Sequence, residues 1–452
     1  MRGFLASSIG VTCAAALALP LTLSPSGARA AAPDVPSAAG PATEAVPGST
    51  QSLPLVPLAS DRSLGPAGAS EQGLKQRDVR PFSLVGVVWN DPEADLRGTV
   101  QVRTRATGAA TWSGWQQVET HNHEHAPDTD DPDRAAGTVR GSTAPLWVGA
   151  SDGVEVRVRP ERAADRAAVP SLPEGLRLEL VNPGDEAPPN GAQTDVGRAP
   201  ALTAESAAAS AVNAELAPIG AAVIPELTKR QTENDLIAAR GGAEAVGKVR
   251  PHIGPRPRII TRRGWGANEK LRERNFAYTK TVKAAFLHHS ASGNNYRCSQ
   301  AGSVLRSIYR YHVKSSGWRD VGYNFAVDKC GNIYEGRAGG VAKPVLGAHT
   351  RGFNANTTGI AVIGSYGTAK PPKAALKAVA RLTAWKLGLY GANPRGTTYL
   401  KSGGGNLYKK GRNVRLHVIS GHRDGFATSC PGSRLYKKLG KARTSSARLQ
   451  GR

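Results

Sequence analysis

The stretch Ala284-Ala-Phe-Leu-His-His-Ser290, "AAFLHHS", decides how the second half of this chain folds. The run from Val282 to His289 is apolar and too short for a typical helix, which suits a strand buried on both faces. It ends on two histidines. Adjacent strand residues point to opposite faces, so only one of His288 and His289 can serve a given site. Working outward, Cys298 to His312 places Ala301, Val304, Leu305 and Ile308 at helical spacing. Tyr323 to Val327 and Asn332 to Arg337 read as strands around the turn Asp328-Lys-Cys-Gly331. Gly359 to Gly364 reads as another buried strand. Pro371-Pro372 opens a helix through Leu376, Val379, Leu382, Trp385 and Leu389. A last strand, Arg415 to Ser420, runs straight into His422. This pattern predicts a mixed α/β domain over 257–440, a central sheet flanked by helices.

The segment after that strand, "ISGHRDGFATSCPG" (419–432), sets His422 eight residues before Cys430. Imidazole and thiolate are both good zinc ligands, and a loop of this length can bring them onto one ion. Two ligands do not make a site. The best source of a third is the end of the 282–289 strand, as His288 or His289.

The other half reads differently. Residues 1–30 resemble a secretory signal peptide, an apolar run from Phe4 to Leu23 before a small-x-small pattern ending at Ala30. An uncleaved membrane anchor is the alternative, because the run is close to spanning length. No later segment is apolar enough to cross a bilayer, so the expectation is a secreted protein. Residues 31–78 are rich in Ala, Pro, Ser and Gly and read as a disordered arm. Short alternating runs follow: Phe82 to Trp89, Thr99 to Thr104, Trp112 to Val118, Leu146 to Gly149, Val154 to Val158 and Leu176 to Val181. They predict an all-β sandwich over 79–184. Within it, "HNHEHAPDTDDPD" (121–133) carries His121, His123 and His125, which could meet a metal; without regular secondary structure to hold them, the segment reads as a solvated acidic loop. Residues 185–256 read as a linker and 441–452 as a basic tail.

Charge divides the chain in the same way. Residues 251–452 hold 37 Lys and Arg against 6 Asp and Glu, and residues 1–250 hold the remaining 22 against 29, so +31 faces −7. Such asymmetry points to a polyanionic partner for the basic half. For an exported protein the polyanions at hand are wall polymers and membrane surfaces; no nucleic-acid-binding module accompanies the charge. Of four cysteines, Cys13 falls in the signal segment. If Cys430 is a metal ligand, Cys298–Cys330 is the disulfide that remains for an oxidising compartment.

Five segments, taken in order, carry a family resemblance: "RRGWGAN" (262–268), "FLHHSAS" (286–292), "GWRDVGYNFAVDKCGNIYEGR" (317–337), "GAHTRGFNANTTGIAVIGSYG" (347–367) and "ISGHRDGFATSCPG" (419–432). Together they resemble the peptidoglycan recognition proteins and the related zinc-dependent N-acetylmuramoyl-L-alanine amidases. The resemblance implies that Zn2+ is held by His288, His422 and Cys430. Three protein ligands leave one tetrahedral position open, the mark of a catalytic rather than structural site. It implies catalytic roles for Tyr323 and for Thr428, which stands where some relatives carry Lys. It also implies peptidoglycan, a muramyl peptide, as the partner, and hydrolysis of the amide joining N-acetylmuramic acid to L-alanine. A non-catalytic recognition module is the second expectation; relatives of that kind commonly lack the cysteine, which is present here. The remaining expectations are a monomer with His289 turned into the structure, His312 and His417 as core or surface groups, and His349, Trp318 and Arg337 near the peptide groove. Asp424 is either an acceptor behind a metal histidine or half of a surface ion pair.

Overall fold

The computed structural model describes residues 48–58, 71–120, 123–131, 134, 137–161, 171–184, 202–242 and 251–452. The expected signal segment 1–30, with Cys13, and His121 lie outside the described residues.

The first half is all-β. Its strands are β1 (Ser49–Pro54), β2 (Val56–Pro57), β3 (Gln72–Trp89), β4 (Gly98–Ala106), β5 (Gln116–Val118), β6 (Gly141–Ser142), β7 (Leu146–Pro160) and β8 (Arg177–Asn182). They form one hydrogen-bonded sheet in the order β1-β8-β3-β7-β4-β5, with β2 and β6 both on β3. Strand β4 alternates as a half-buried strand must, sending Val100, Val102 and Thr104 inward. Strand β3 is buried on both faces beyond Phe82. Val85, Val87 and Trp89 join Val154, Val156 and Val158 in the sheet's own core. Leu84 and Val88 point the other way and, with Trp147 and Val181, meet Trp265, Ile308 and Tyr311 of the second half. Gly86 leaves room for the Tyr311 ring, with which a Cβ would collide. The Tyr311 hydroxyl donates to Thr143 O at 3.0 Å. Each large side chain buried in this seam contributes roughly 1.5–3 kcal/mol, so the two halves share a core.

The second sheet contains β9 (Val223–Ile224), β10 (Ile259–Ile260), β11 (Ala284–His289), β12 (Phe325–Val327), β13 (Ile333–Glu335), β14 (Thr357–Val362) and, beyond the hairpin β15 (Thr397–Lys401) and β16 (Asn413–His417), β17 (Ile419–Gly421). Its order is β17-β11-β14-β12-β13-β10-β9. The four strands β17, β11, β14 and β12 run parallel. The expected strand 415–420 divides between β16 and β17. Helices α1 (Ala204–Ala211), α2 (Lys229–Ala239), α3 (Ala301–Arg310), α4 (Lys373–Gly388), α5 (Ser433–Tyr436) and α6 (Leu439–Gln450) complete the domain. On one face Val379, Leu382 and Trp385 of α4 cover Leu287, Ile360 and Val362. On the other, Val304, Leu305 and Ile308 of α3 cover Ala326, Ala361 and Ile363. A disulfide joins Cys298, before α3, to Cys330 in the β12–β13 turn. No helix among the described residues is long and apolar enough to cross a membrane.

Three stretches expected to be irregular carry regular elements, and the structure corrects those boundaries. Within the expected arm 31–78, β1 pairs residue by residue with β8, and β3 begins at Gln72. Ladder hydrogen bonds are made by backbone, so a Ser- and Pro-rich stretch joins a sheet without an apolar signature. The expected linker 185–256 holds α1, α2 and β9, the second helix starting on a Thr228–Gln231 capping box. Residues 441–450 of the expected tail 441–452 lie in α6, which buries Ala442, Ser446, Ala447 and Gln450. Small and polar residues packing inward leave no hydrophobic period to read.

Candidate metal centre

The site follows from strand register. Because β11 and β17 run parallel with Leu287 opposite Gly421, the next residues, His288 near the end of β11 and His422 just past β17, stand side by side. Ligand sites in α/β sheets form at such carboxyl ends. Cys430 returns to the same place after the turn at His422–Asp424. His288, His422 and Cys430 are all buried.

A fourth residue joins them from the first half. His125 sits in a short turn, His123–His125, and its ligand atom lies with those of His288, His422 and Cys430 in a group mutually within 4.8 Å. His125 Nε2 is 3.2 Å from His422 Nδ1 and 3.5 Å from Cys430 Sγ. Cys430 Sγ is 3.8 Å from His288 Nδ1. Tetrahedral zinc with ordinary bond lengths spaces nitrogen ligands about 3.3 Å apart and a nitrogen–sulfur pair about 3.6 Å apart, so the four donors fit one ion. The acidic loop is therefore not solvated as expected: residues 124–127 are buried against the second half. Regular secondary structure is no prerequisite for a ligand when the partner surface supplies the frame.

The surroundings prepare the donors. His422 Nε2 lies 3.1 Å from Glu124 O; donation to that carbonyl leaves the Nδ1 lone pair facing the cluster. His288 Nε2 lies 3.3 Å from His349 Nδ1 and 3.4 Å from Thr350 Oγ1. Burial, and then the facing His422, push His125 and His288 well below the ordinary imidazole range, so both stay neutral with lone pairs available. Burial likewise pushes the Cys430 thiol up; a bound cation reverses that balance and stabilises the thiolate. Tyr323, its ring 5.5 Å from that of His288, is held protonated by burial. Thr428 Oγ1 accepts from Cys430 N at 3.1 Å and donates to Glu124 Oε1 at 2.6 Å.

The neighbouring residues divide clearly. His289 faces away and accepts from Tyr366 N at 3.2 Å. His312 accepts from Gly322 N and stacks on Trp318 at 4.3 Å. His417 is exposed on β16. His349 is buried beneath His288, in space that Gly359 leaves by having no side chain, and so supports a ligand from behind. Arg337 donates to the carbonyls of Val321 and Leu346. Asp424 accepts from Gly421 N and from the Tyr436 hydroxyl, so it braces its own turn rather than a metal histidine. His125 was one of three histidines that the sequence offered as metal contacts while favouring a solvated loop, and Glu124 was missed; the local signal was a density of histidines unusual for an acidic loop.

A mixed α/β domain that gathers histidine and cysteine donors at the ends of neighbouring parallel strands defines a class of protein with a candidate metal centre. Residues 278–433 match the family model "N-acetylmuramoyl-L-alanine amidase", and residues 36–175 match "Rv3811 N-terminal galactose-binding domain-like". Peptidoglycan-recognition protein SC1a of Drosophila melanogaster is 32% identical over 155 residues, covering 34% of this chain and 70% of that protein. Peptidoglycan-recognition protein SC2 of the same organism is 28% identical over 183 residues, 40% of this chain and 84% of that one. A Homo sapiens N-acetylmuramoyl-L-alanine amidase is 30% identical over 188 residues, which are 40% of this chain and 28% of that protein. The chain belongs to the family of peptidoglycan recognition proteins and type 2 N-acetylmuramoyl-L-alanine amidases.

Proposed function

We propose that the chain is a secreted, zinc-dependent N-acetylmuramoyl-L-alanine amidase that hydrolyses the amide between N-acetylmuramic acid and the L-alanine of the stem peptide. The observation that carries this reading is the presence of Cys430 beside His288 and His422, buried and converging on one point. These three residues would hold the zinc. When bound, zinc supplies a Lewis acid that polarises the scissile carbonyl and draws protons from water at neutral pH.

The chain's own residues do the rest. As water adds to the carbonyl, charge develops on its oxygen. Tyr323, kept protonated by burial, donates a hydrogen bond to that oxygen, and the Thr428 hydroxyl donates to it from the other side. His349 keeps the His288 ring oriented. The buried walls exclude bulk water, which strengthens each of these interactions. The basic half draws in anionic wall polymers, so wall binding weakens as salt rises.

The test is release of L-alanine amino termini from isolated walls. Release, slow while His125 fills the fourth position, is expected with zinc, lost with a chelator and restored by zinc. The second reading, a module that binds walls without cleaving them, is favoured by one observation: His125 stands where a catalytic site keeps an open position. Zinc-loaded protein that binds walls and releases nothing, even with that position opened, would establish it.

A further inference from the structure

We propose that residues 124–131 of the first half are an intramolecular stopper, with His125 as the fourth metal ligand and Glu124 holding the Thr428 hydroxyl, so that the chain as folded is latent. The first part stands on the donor geometry alone; the latency rests on the amidase reading above.

Two independent sets of contacts carry the inference. The first is the ligand set. His125 Nε2 takes the vertex that three protein ligands leave free, at ligand-to-ligand distances of 3.2 and 3.5 Å from His422 and Cys430. A four-donor site of three imidazoles and one thiolate is closed, the pattern of structural rather than catalytic zinc. The second is the seating of the loop. Glu124 O accepts from Arg351 N at 2.9 Å, and its carboxylate occupies the hydroxyl assigned above to the developing charge. Asn354 Nδ2 donates to Ala126 O at 3.2 Å and to Asp128 Oδ1 at 3.0 Å. Gly352 N donates to the same Asp128 carboxylate. Lys410 pairs with Asp130 at 2.5 Å. Ala126 and, farther along, Val139 pack on Ala348 and on Trp318, which is expected near the peptide groove, and Thr138 Oγ1 donates to Gly317 O at 2.9 Å.

The acidic loop thus satisfies part of the basic domain's demand for a polyanion from within the chain. Its hold is largely polar, with Ala126 adding apolar packing on Trp318 and Ala348. The seam of Leu84, Val88, Trp147 and Tyr311 fastens the two halves elsewhere, so the stopper can lift without the halves separating. Displacement leaves His288, His422 and Cys430 in place and frees the Thr428 hydroxyl.

The test uses the full chain loaded with cobalt(II), whose visible spectrum reports its coordination, and azide as a small probe ligand. Azide is expected to leave the wild-type spectrum unchanged and to shift that of His125→Ala saturably, with one cobalt ion bound in each. Asp128→Ala keeps all four donors but loosens the loop, so an azide-responsive fraction above wild type is expected; this variant carries the test if His125→Ala shows no cooperative unfolding transition. A wild-type spectrum that responds to azide as His125→Ala does, or an Asp128→Ala spectrum as inert as wild type, overturns the stopper. On walls, zinc-loaded His125→Ala is expected to release L-alanine termini at least about tenfold faster than wild type. Azide entry into His125→Ala without any release from walls sustains the stopper and overturns the amidase reading instead.

Discussion

Three donors of the metal centre come from the α/β domain and one from the β domain, and the two sources are held by different physics. His288 and His422 are fixed by the register of β11 against β17, inside a core whose disruption unfolds the domain. Their second ring nitrogens both meet polar partners. His125 rides on a three-residue turn, and its Nδ1 has no hydrogen-bond partner among the described residues. Its neighbours are anchored by a few polar contacts, one of them the Lys410–Asp130 pair, whose side chains are 61% and 71% exposed. Exposed pairs of that kind contribute at most about 1 kcal/mol. A permanent three-donor platform carrying a removable fourth donor is the arrangement of a site that can be both closed and catalytic.

The comparison breaks most severely if the platform is not what binds metal. Cys430→Ala is expected to lower wall hydrolysis by at least about a thousandfold and to abolish stoichiometric zinc, measured by elemental analysis after dialysis. Retention of both would remove the platform from the account. Next in size is the core beneath it. Leu382→Ala, at a fully buried position of α4, is expected to cost about 2–5 kcal/mol, read as a lower denaturation midpoint. Asp128→Ala in the loop should move that midpoint far less. Equal losses would mean that the loop is as integral as the core.

A smaller effect concerns pH. Glu335 is buried between Asn213 and Arg262 N, and burial lifts its carboxyl from 4.5 to about 7. A raised folded-state value means that its stabilising contribution is complete below about 4.5 and is lost as pH rises through about 7. Glu335→Gln cannot ionise, although its amide NH2 meets an N–H donor where a carboxyl oxygen accepted, so the gap in Tm, variant minus wild type, should start below zero at the acid end and grow more positive between pH 4.5 and 8. A gap that grows more negative with rising pH contradicts the assignment.

Much of the platform was legible in the sequence. An apolar run ending in His288, a strand entering His422 and a cysteine eight residues on are local signals, and α4 announced itself by Pro371-Pro372 and the spacing of Val379, Leu382 and Trp385. The stopper was not legible, because its contacts join residues about 300 positions apart and follow no period. The strands of 49–54 and 72–78 escaped for a related reason: backbone pairing with a distant partner leaves no pattern in the side chains. Beyond Leu439, helix α6 buries alanine, serine and glutamine, which carry too little hydrophobic contrast to mark a face.

The most direct measurement is the anomalous scattering of zinc in crystals of the zinc-loaded full chain. A single strong peak is expected within bonding distance of His125 Nε2, His288 Nδ1, His422 Nδ1 and Cys430 Sγ. A peak bonded to His288, His422 and Cys430 with His125 turned away and solvent in its place would contradict the stopper. A peak elsewhere would contradict the centre itself.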